Sequence, residues 1–246
     1  MQLSGNTILI TGGGSGIGLG LALRFLENNE VILCGRDAEK LNAAKALHPR
    51  FHTIQCDVSH EEERKRLFQT VKKDFPKINV LVNNAGIQRR VDVTTDEPWA
   101  ETQSELAINL EAPMHLARLF IPYFETRSHA CIINVTSGLA FAPMALMPIY
   151  CASKAALHSF TLSLRHSLLA KNIEVIEIIP PAVNTDLGGK GLHDFGVPLD
   201  EFSDGIFQGL KEGRTEIAYG TSLKSSRASR EEKDQIFRAM NSSSRV

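Results

Sequence analysis

The sequence predicts an α/β protein whose core is a doubly wound parallel sheet of seven strands, with helices on both faces. Short apolar runs alternate with longer stretches that carry apolar residues at helical spacing, and this alternation is typical of right-handed βαβ units. Several of the runs are continuous and rich in Val and Ile, as strands covered on both faces are. A glycine-rich segment, TGGGSGIG at 11–18, joins the first run to the first helical stretch.

Seven apolar runs are the predicted strands. In chain order they are TILIT (7–11), EVILCG (30–35), FHTIQCD (51–57), INVLVNNAG (78–86), ACIINVTS (130–137), IEVIEII (173–179) and EIAYG (216–220). The helical stretches between them are 18–28, 38–47, 61–74, 95–124 and 150–171. In the first of these, Leu19, Ala22, Leu23 and Leu26 fall on one face. No repeat or linker interrupts the pattern before residue 220, so residues 1–246 are predicted to form one domain.

Two regions do not follow the alternation. Residues 186–204 are rich in glycine and poorly periodic, which predicts a flexible loop beside a substrate site. The tail from about residue 224 is charged and ends in a pattern that favours a short helix. Its basic start is interpreted either as an anion site or as a solvated face, and the solvated face is preferred.

Composition limits the function classes. The chain has 246 residues and a net charge of −1, with 43% hydrophobic residues, so nothing predicts a nucleic-acid or membrane partner. The four cysteines lack paired spacing, which favours reduced thiols in a cytoplasmic protein; Cys151 is interpreted as a reactive thiol or, preferably, as a small apolar residue. Neither a secretory signal nor a membrane span is recognisable. The eight histidines lack ligand spacing, so no metal site is expected.

The glycine-rich segment is a candidate phosphate site because ligands of parallel sheets bind at the carboxyl ends of strands. There the backbone N–H groups and the positive end of the following helix would receive a pyrophosphate. Gly12 would allow the tight turn, Gly16 the close approach of phosphate, and Gly18 the packing of helix on strand. The alternative is a turn that merely tolerates glycine. A phosphate site at this position is typical of the Rossmann fold, which is the predicted fold.

The second strand ends in CGRD, where a dinucleotide site meets the adenosine ribose. An acid there would favour NAD, but Gly35 occupies the position and Arg36 follows. A guanidinium can donate two parallel hydrogen bonds to a 2′-phosphate, so NADP(H) is favoured over NAD(H). Asp37 lies past the strand and is interpreted as a helix cap.

The motif YCASK places Tyr150 and Lys154 on one helix face. An ammonium near a phenol lowers its pKa, as a general acid or base requires. Ser137 ends a predicted strand, where its hydroxyl could bond a substrate carbonyl oxygen. Asn109 lies in a long predicted helix, where its amide could interrupt the hydrogen-bond ladder and hold a water near Lys154.

Taken in order, TGGGSGIG, CDVS (56–59), NNAG (83–86), Asn109, Ser137 and YCASK resemble the motifs of the short-chain dehydrogenase/reductase family over essentially the full chain. The resemblance implies a proton-relay tetrad of Asn109, Ser137, Tyr150 and Lys154, with Tyr150 protonating the carbonyl oxygen. The cofactor contacts it implies are Gly12, Ser15, Gly16, Ile17, Gly18, Arg36, Asp57, Val58, Asn83, Gly86, Tyr150, Lys154, Pro180, Val183 and Thr185. The resemblance also implies a homodimer or homotetramer.

Two positions depart from the family pattern. Pro180-Pro181 stands where Pro-Gly is common, which weakens the expected contacts at Val183 and Thr185. Ser15 stands where many NADP-preferring members carry a basic residue, so the preference depends on Arg36. More narrowly, VNNAGIQRR, PLDEF and GLKEGRTEIAYG are similar to the DltE-type oxidoreductases.

The sequence therefore predicts an NADP(H)-dependent oxidoreductase that interconverts a small-molecule carbonyl and a secondary alcohol. The alternatives are an NAD-linked alcohol dehydrogenase and a catalytically silent NADP-sensing protein. The substrate depends on loops 88–98, 139–149 and 186–204. Arg89 and Arg90 either meet an anionic substrate or, preferably, aid solubility.

Overall fold

A single parallel sheet of seven strands runs through the protein, whose computed structural model describes residues 1–242. The strand order is β3-β2-β1-β4-β5-β6-β7, and every neighbouring pair is parallel. The strands are β1 Thr7–Thr11, β2 Glu30–Gly35, β3 His52–Gln55, β4 Ile78–Asn83, β5 Ala130–Val135, β6 Ile173–Ile179 and β7 Glu216–Ala218. Because the chain reverses direction of winding between β3 and β4, β1 and β4 are neighbours at the centre. The predicted doubly wound sheet is confirmed.

Nine α-helices occur among the described residues. They are α1 Gly16–Phe25, α2 Ala38–Leu47, α3 Glu61–Asp74, α4 Trp99–Leu106, α5 Ala112–Phe124, α6 Pro148–Ser167, α7 Leu199–Lys211, α8 Thr221–Arg227 and α9 Arg230–Asn241. A π-helical turn, Ala107–Glu111, joins α4 to α5, and a 3₁₀ turn, Gly138–Ala140, follows β5. Asp37 caps α2 by accepting hydrogen bonds from the N–H groups of Glu39 and Lys40, which confirms its interpretation as a cap.

The helices cover the sheet on both faces and enclose two apolar cores. On one face, α1, α2 and α7 pack against side chains that include Ile8, Ile10 and Val82. On the other, α3, α5 and α6 pack against side chains that include Leu9 and Leu81. Adjacent residues of one strand therefore point into different cores, which explains why the strands are apolar throughout.

The structure corrects the single helix predicted for 95–124. The segment before Trp99 is irregular, and the helical part is divided by the π turn at Ala107–Glu111. A π turn holds one more residue than the α-helix around it and is common at functional sites. The apolar periodicity of the flanking helices conceals the extra residue.

The predicted loop 186–204 is also too long. Its last residues, from Leu199, begin α7, which sequence analysis did not predict. Residues 186–198 are irregular, as expected. The charged tail contains two helices, α8 and α9, rather than one short helix; its last four residues, 243–246, lie outside the described part of the chain.

Among residues 1–242, none of the helices combines the length and the apolar character that crossing a bilayer demands.

Candidate active site

The glycine-rich turn after β1 is held against the turn after β4. Gly12 has a left-handed backbone, with φ of 64°, which favours glycine. The side chain of Asn84 donates to the carbonyl oxygens of Thr11 (2.9 Å) and Gly12 (3.2 Å). The Thr11 hydroxyl in turn accepts from the backbone N–H groups of Asn84 and Ala85. The two central strands therefore end in one interlocked pair of turns.

Gly18 packs tightly against this pair. A Cβ atom at Gly18 would lie 2.5 Å from Asn84 Nδ2 and 3.0 Å from the carbonyl carbon of Gly12, distances that no side chain allows. Gly18 therefore allows the first turn of α1 to lie directly against the two turns.

The positive end of α1 suits a pyrophosphate. Ser15 is the N-cap, but its hydroxyl makes no capping hydrogen bond, and the first turn contains no acidic residue. Gly16 has φ of 53°, and a methyl group there would meet only Thr185, at 3.5 Å. Ile17 is half-buried against the core. No acidic side chain in the first turn of α1 neutralises this end of the helix dipole, which suits it to a phosphate group.

The predicted adenosine side lies beside β2 and β3. Arg36 is exposed and forms no ion pair with any residue in 1–242. Asp57 accepts from the N–H (2.9 Å) and hydroxyl (2.7 Å) of Ser59. Partial burial raises the pKa of Asp57, but these hydrogen bonds outweigh burial and leave the pKa below its ordinary value. Val58 is buried in the apolar core beside α3.

The side chain of Asn83 lies in the protein interior, and its expected contact with the cofactor stays a prediction. Its side chain is buried on the face of β4 toward α5 and donates to Asn134 Oδ1, at 2.9 Å. Asn84, the next residue, holds the glycine turn instead. The alternation of side chains along β4 explains the difference, because Leu81 and Asn83 share a face. Thr11 and Asn84 are the site residues that sequence reasoning missed, and the strand period was the signal that could have found them.

Tyr150 and Lys154 lie one helical turn apart on α6, and both are buried. The Lys154 ammonium donates to the carbonyl oxygen of Val135 (2.8 Å) and lies 5.8 Å from the centre of the Tyr150 ring. Burial lowers the pKa of Lys154 to about 8. Burial also raises the pKa of Tyr150 above its ordinary value, while Ser137 acts in the opposite direction. The expected lowering of the Tyr150 pKa by Lys154 is therefore absent here, because desolvation dominates.

Ser137 begins the 3₁₀ turn after β5, and its hydroxyl accepts from the Leu139 N–H at 3.1 Å. This bond leaves the hydroxyl hydrogen free to donate. The buried carboxyl group of Glu105, on α4, adds negative charge near Tyr150 and contributes to the raised pKa of Tyr150. At Tyr150 the structure thus offers a protonated phenol beside a hydroxyl donor.

Asn109 lies in the middle of the π turn and is fully buried. Its amide accepts from the N–H of Ile87 (2.9 Å) and donates to the Ile87 carbonyl oxygen (2.9 Å) and to Ser153 Oγ (3.2 Å). Both amide hydrogens are therefore used within the protein. That the side chain holds a water stays a prediction; in this structure it fixes the loop after β4 against α6.

Gly86 lies between Asn109 and Lys154. A Cβ atom at Gly86 would be 3.4 Å from Asn109 Oδ1 and 3.6 Å from Lys154 Nζ. The structure thus brings the end of β4, the π turn and α6 together at the carboxyl edge of the sheet.

The segment after β6 closes the same edge. The Pro180 carbonyl oxygen accepts from the Gly138 N–H at 2.9 Å. Val183 is buried and pairs with Val197 in an isolated parallel bridge. Thr185 lies over Gly16, as described above. The segment therefore lies next to the glycine-rich turn even though Pro181 follows Pro180.

The structure bears on the alternatives that sequence analysis left open for Cys151 and Arg89. Cys151 is buried, its Sγ contacts the Met144 backbone, and burial raises the pKa of its thiol, so packing describes it better than reactivity. Arg89 pairs with Glu101 at 2.7 Å, so its charge is matched within the protein. No cluster of three metal-ligating side chains occurs in the described residues.

The chain is similar to known oxidoreductases. Residues 6–194 match the family model described as short chain dehydrogenase. The chain is 46% identical over 249 residues to an oxidoreductase called DltE from Bacillus subtilis, with 98% of each chain covered. The similarity to DltE-type oxidoreductases predicted from sequence is thereby confirmed.

Solved structures agree. A short chain dehydrogenase from Burkholderia cenocepacia in complex with NADP is 26% identical, with a TM-score of 0.84 over 96% of this chain and 99% of that one. A short chain dehydrogenase/reductase from Burkholderia phymatum in complex with NAD has the same fold, with a TM-score of 0.81, 20% identity and coverage of 100% and 99%. Both cofactors thus occur within this fold.

Proposed function

The chain belongs to the short-chain dehydrogenase family of oxidoreductases, and from this membership we propose that it interconverts a small-molecule carbonyl and a secondary alcohol with NADP(H). Tyr150 is the proposed general acid and base. The observation that carries the proposal is the buried pair of Tyr150 and Lys154 beside Ser137, at the sheet edge where the glycine turn ends.

The cofactor would supply or accept a hydride at its nicotinamide ring. The residues that would hold it are the amides of the glycine turn with Thr185 at the pyrophosphate, Arg36 and Asp57 at the adenosine, and Lys154 at the nicotinamide ribose. The uncompensated positive end of α1 supports this assignment. So does the left-handed Gly16, which presents backbone without a side chain.

The protein's own groups handle the proton and the carbonyl oxygen. The Ser137 hydroxyl would donate a hydrogen bond to that oxygen and orient it. Because burial keeps the Tyr150 phenol protonated, Tyr150 is suited to give its proton to the oxygen during reduction. A cationic Lys154 would stabilise the resulting phenolate.

Replacing Tyr150 by Phe tests the proposal because Phe keeps the ring and removes the proton. NADPH absorbance is followed with purified protein against a broad carbonyl panel, and NADPH affinity is measured in parallel. We expect turnover to fall by at least about a hundredfold, with affinity unchanged. A variant with undiminished turnover contradicts the role of Tyr150, whereas wild-type protein that binds NADPH but reduces nothing favours the sensing alternative.

We further propose a homodimer or homotetramer in the cytoplasm. Large apolar side chains on α4, α5 and α6 support association, since Trp99, Met114 and Leu162 are exposed. Four free buried thiols support a reducing compartment. Light scattering at several concentrations measures the oligomeric state.

A further inference from the structure

Arg64 is a buried charge that the proposed mechanism leaves unexplained. It lies on α3, far along the chain from the tetrad, yet its side chain is only 1% exposed. A guanidinium removed from water must have its hydrogen bonds satisfied. The hydrogen-bond partners of the guanidinium therefore show which parts of the fold Arg64 connects.

The first set of contacts fixes the turn between β3 and α3. Arg64 Nη1 donates to the carbonyl oxygens of Val58 (2.7 Å) and Ser59 (3.2 Å). These residues directly follow Asp57 on the proposed adenosine side. The carboxylate of Glu63 supports the same turn by accepting from the Asp57 N–H at 2.7 Å.

The second set reaches the π turn and the helix that follows it. Arg64 Nη2 pairs with Glu111 at 2.5 Å, and Nε donates to His115 Nδ1 at 2.9 Å. Glu111 is the last residue of the π turn, two positions after Asn109. Burial, and then the positive charge of Arg64, lower the pKa of His115, which favours a neutral ring that can accept from Arg64.

We infer that Arg64 is a positioning residue that couples the adenosine turn to the π turn carrying Asn109. One rigid, planar group bonds both turns, so adenosine binding at one end and the placement of Asn109 and Ile87 at the other are mechanically joined. This inference rests on the proposed cofactor chemistry of the site.

The variants separate this role from simple packing. Arg64→Met removes the hydrogen bonds but keeps most of the volume, Arg64→Lys keeps the charge, and Glu111→Gln weakens only the contact with the π turn. Arg118→Met is the matched control, because Arg118 is exposed on α5. Glu111→Gln and Arg64→Lys keep the test open if Arg64→Met fails to fold.

Affinities for three binding probes and one kinetic constant are measured. Adenosine 2′,5′-bisphosphate reports the adenosine turn alone, and NADPH and NADH report the whole cofactor. For Arg64→Met we expect affinity for all three to fall about tenfold, with the NADPH/NADH ratio unchanged, and kcat to fall by a similar factor. Arg64→Lys should recover part of both losses, and Glu111→Gln should lower kcat more than affinity.

The inference is overturned if Arg64→Met lowers the melting temperature but leaves both affinity and kcat at the level of Arg118→Met. It is also overturned if affinity falls while kcat at saturating cofactor is unchanged in both Arg64→Met and Glu111→Gln, since the two turns would then be independent. Failure of wild-type protein to bind NADPH or NADH refutes the proposed function instead, so the two failures are distinguishable.

Discussion

At the residue scale, Arg36 is an exposed guanidinium with no ion-pair partner in the described structure, at the place where the ribose of the cofactor is proposed to bind. Its charge is therefore available to a 2′-phosphate. Charge-assisted hydrogen bonds of this kind contribute about 1.5–3 kcal/mol each. Discrimination between the two cofactors should depend largely on this one side chain.

Arg36→Ala should weaken NADPH binding by roughly tenfold to a hundredfold and leave NADH binding nearly unchanged. Fluorescence titration with both cofactors measures the ratio, and Arg50→Ala, at an exposed position after α2, is the control. If both affinities fall together, another group recognises the 2′-phosphate.

Gly18 differs from Arg36 because packing, rather than ligand binding, requires glycine at this position. Alanine favours helices over glycine by about 1 kcal/mol, but the added methyl group would strike Asn84 and the rigid backbone of Gly12. Overpacking costs about 1–3 kcal/mol, so the clash outweighs the helix propensity.

Gly18→Ala should therefore lower the melting temperature by roughly 2–8 °C. Gly35→Ala provides the comparison, because a methyl group there meets nothing closer than 3.7 Å. Equal melting temperatures for the two variants would show that the turn yields to the added methyl group.

At the element scale, α6 and β6 are joined by a partly buried ion pair next to the carboxyl end of β5. His158 Nδ1 lies 2.9 Å from the carboxylate of Glu177, which is fully buried and also accepts from Thr136, the neighbour of Ser137. The hydrogen bond to Glu177 raises the pKa of His158 above 6.5, although burial opposes it. Protonated His158 therefore contributes stability.

The sign of the pH dependence follows from this raised pKa. The contribution is fully present below the ordinary value of 6.5 and is lost as pH rises through the higher folded value. Burial lowers the pKa of Lys154 to about 8, and this acts in the opposite sense as pH rises through that value. The test is therefore a comparison: as pH rises above 6.5, the urea midpoint of wild-type protein should fall relative to that of His158→Gln. His166→Gln, exposed on the same helix, should keep the wild-type slope; a wild-type slope in His158→Gln would contradict the assignment.

The elements also show what sequence could predict. Helices α2 and α3 and strand β6 begin and end where the pattern places them, because each has one period and clear ends. Helix α7 was missed although Phe202, Ile206 and Leu210 are spaced as a helix requires. Gly205 and Gly209 indicate a loop, but in the fold they allow close packing against Tyr219 and Ile217.

Some features of the candidate site were likewise predictable from the sequence, and others were not. The identities of Tyr150, Lys154 and the turn glycines follow from local motifs, and the structure brings them to one edge. The roles of Asn84, Arg64 and the buried state of Tyr150 depend on neighbours far along the chain. Local spacing carries no information about such contacts or about the desolvation that sets a pKa.

At the scale of the whole molecule, the proposed cofactor site is assembled from both halves of the sheet. The adenosine side lies beyond β2 and β3, and the tetrad lies on and around β5 and α6. A ligand that contacts both halves stabilises the complete fold and has little affinity for the unfolded chain.

NADPH at a hundred times its dissociation constant should therefore add about 2.7 kcal/mol of stability. For a chain of this size the melting temperature should rise by roughly 5–10 °C. Differential scanning fluorimetry measures the shift, with AMP as a ligand for the adenosine half alone and a smaller expected shift. The absence of any shift with NADPH would contradict the proposed cofactor.

Because the strands of the sheet are parallel, their carboxyl ends, where the site is proposed, lie on the same side of the molecule, while the strand interiors belong to the two cores. Substitutions in the loops at the carboxyl edge can therefore occur independently of substitutions in the two cores. Loops 88–98, 139–149 and 186–198 can drift toward new substrates while the cores stay as they are. A library of variants confined to those loops would therefore change the proposed substrate site and leave the residues of both cores unaltered.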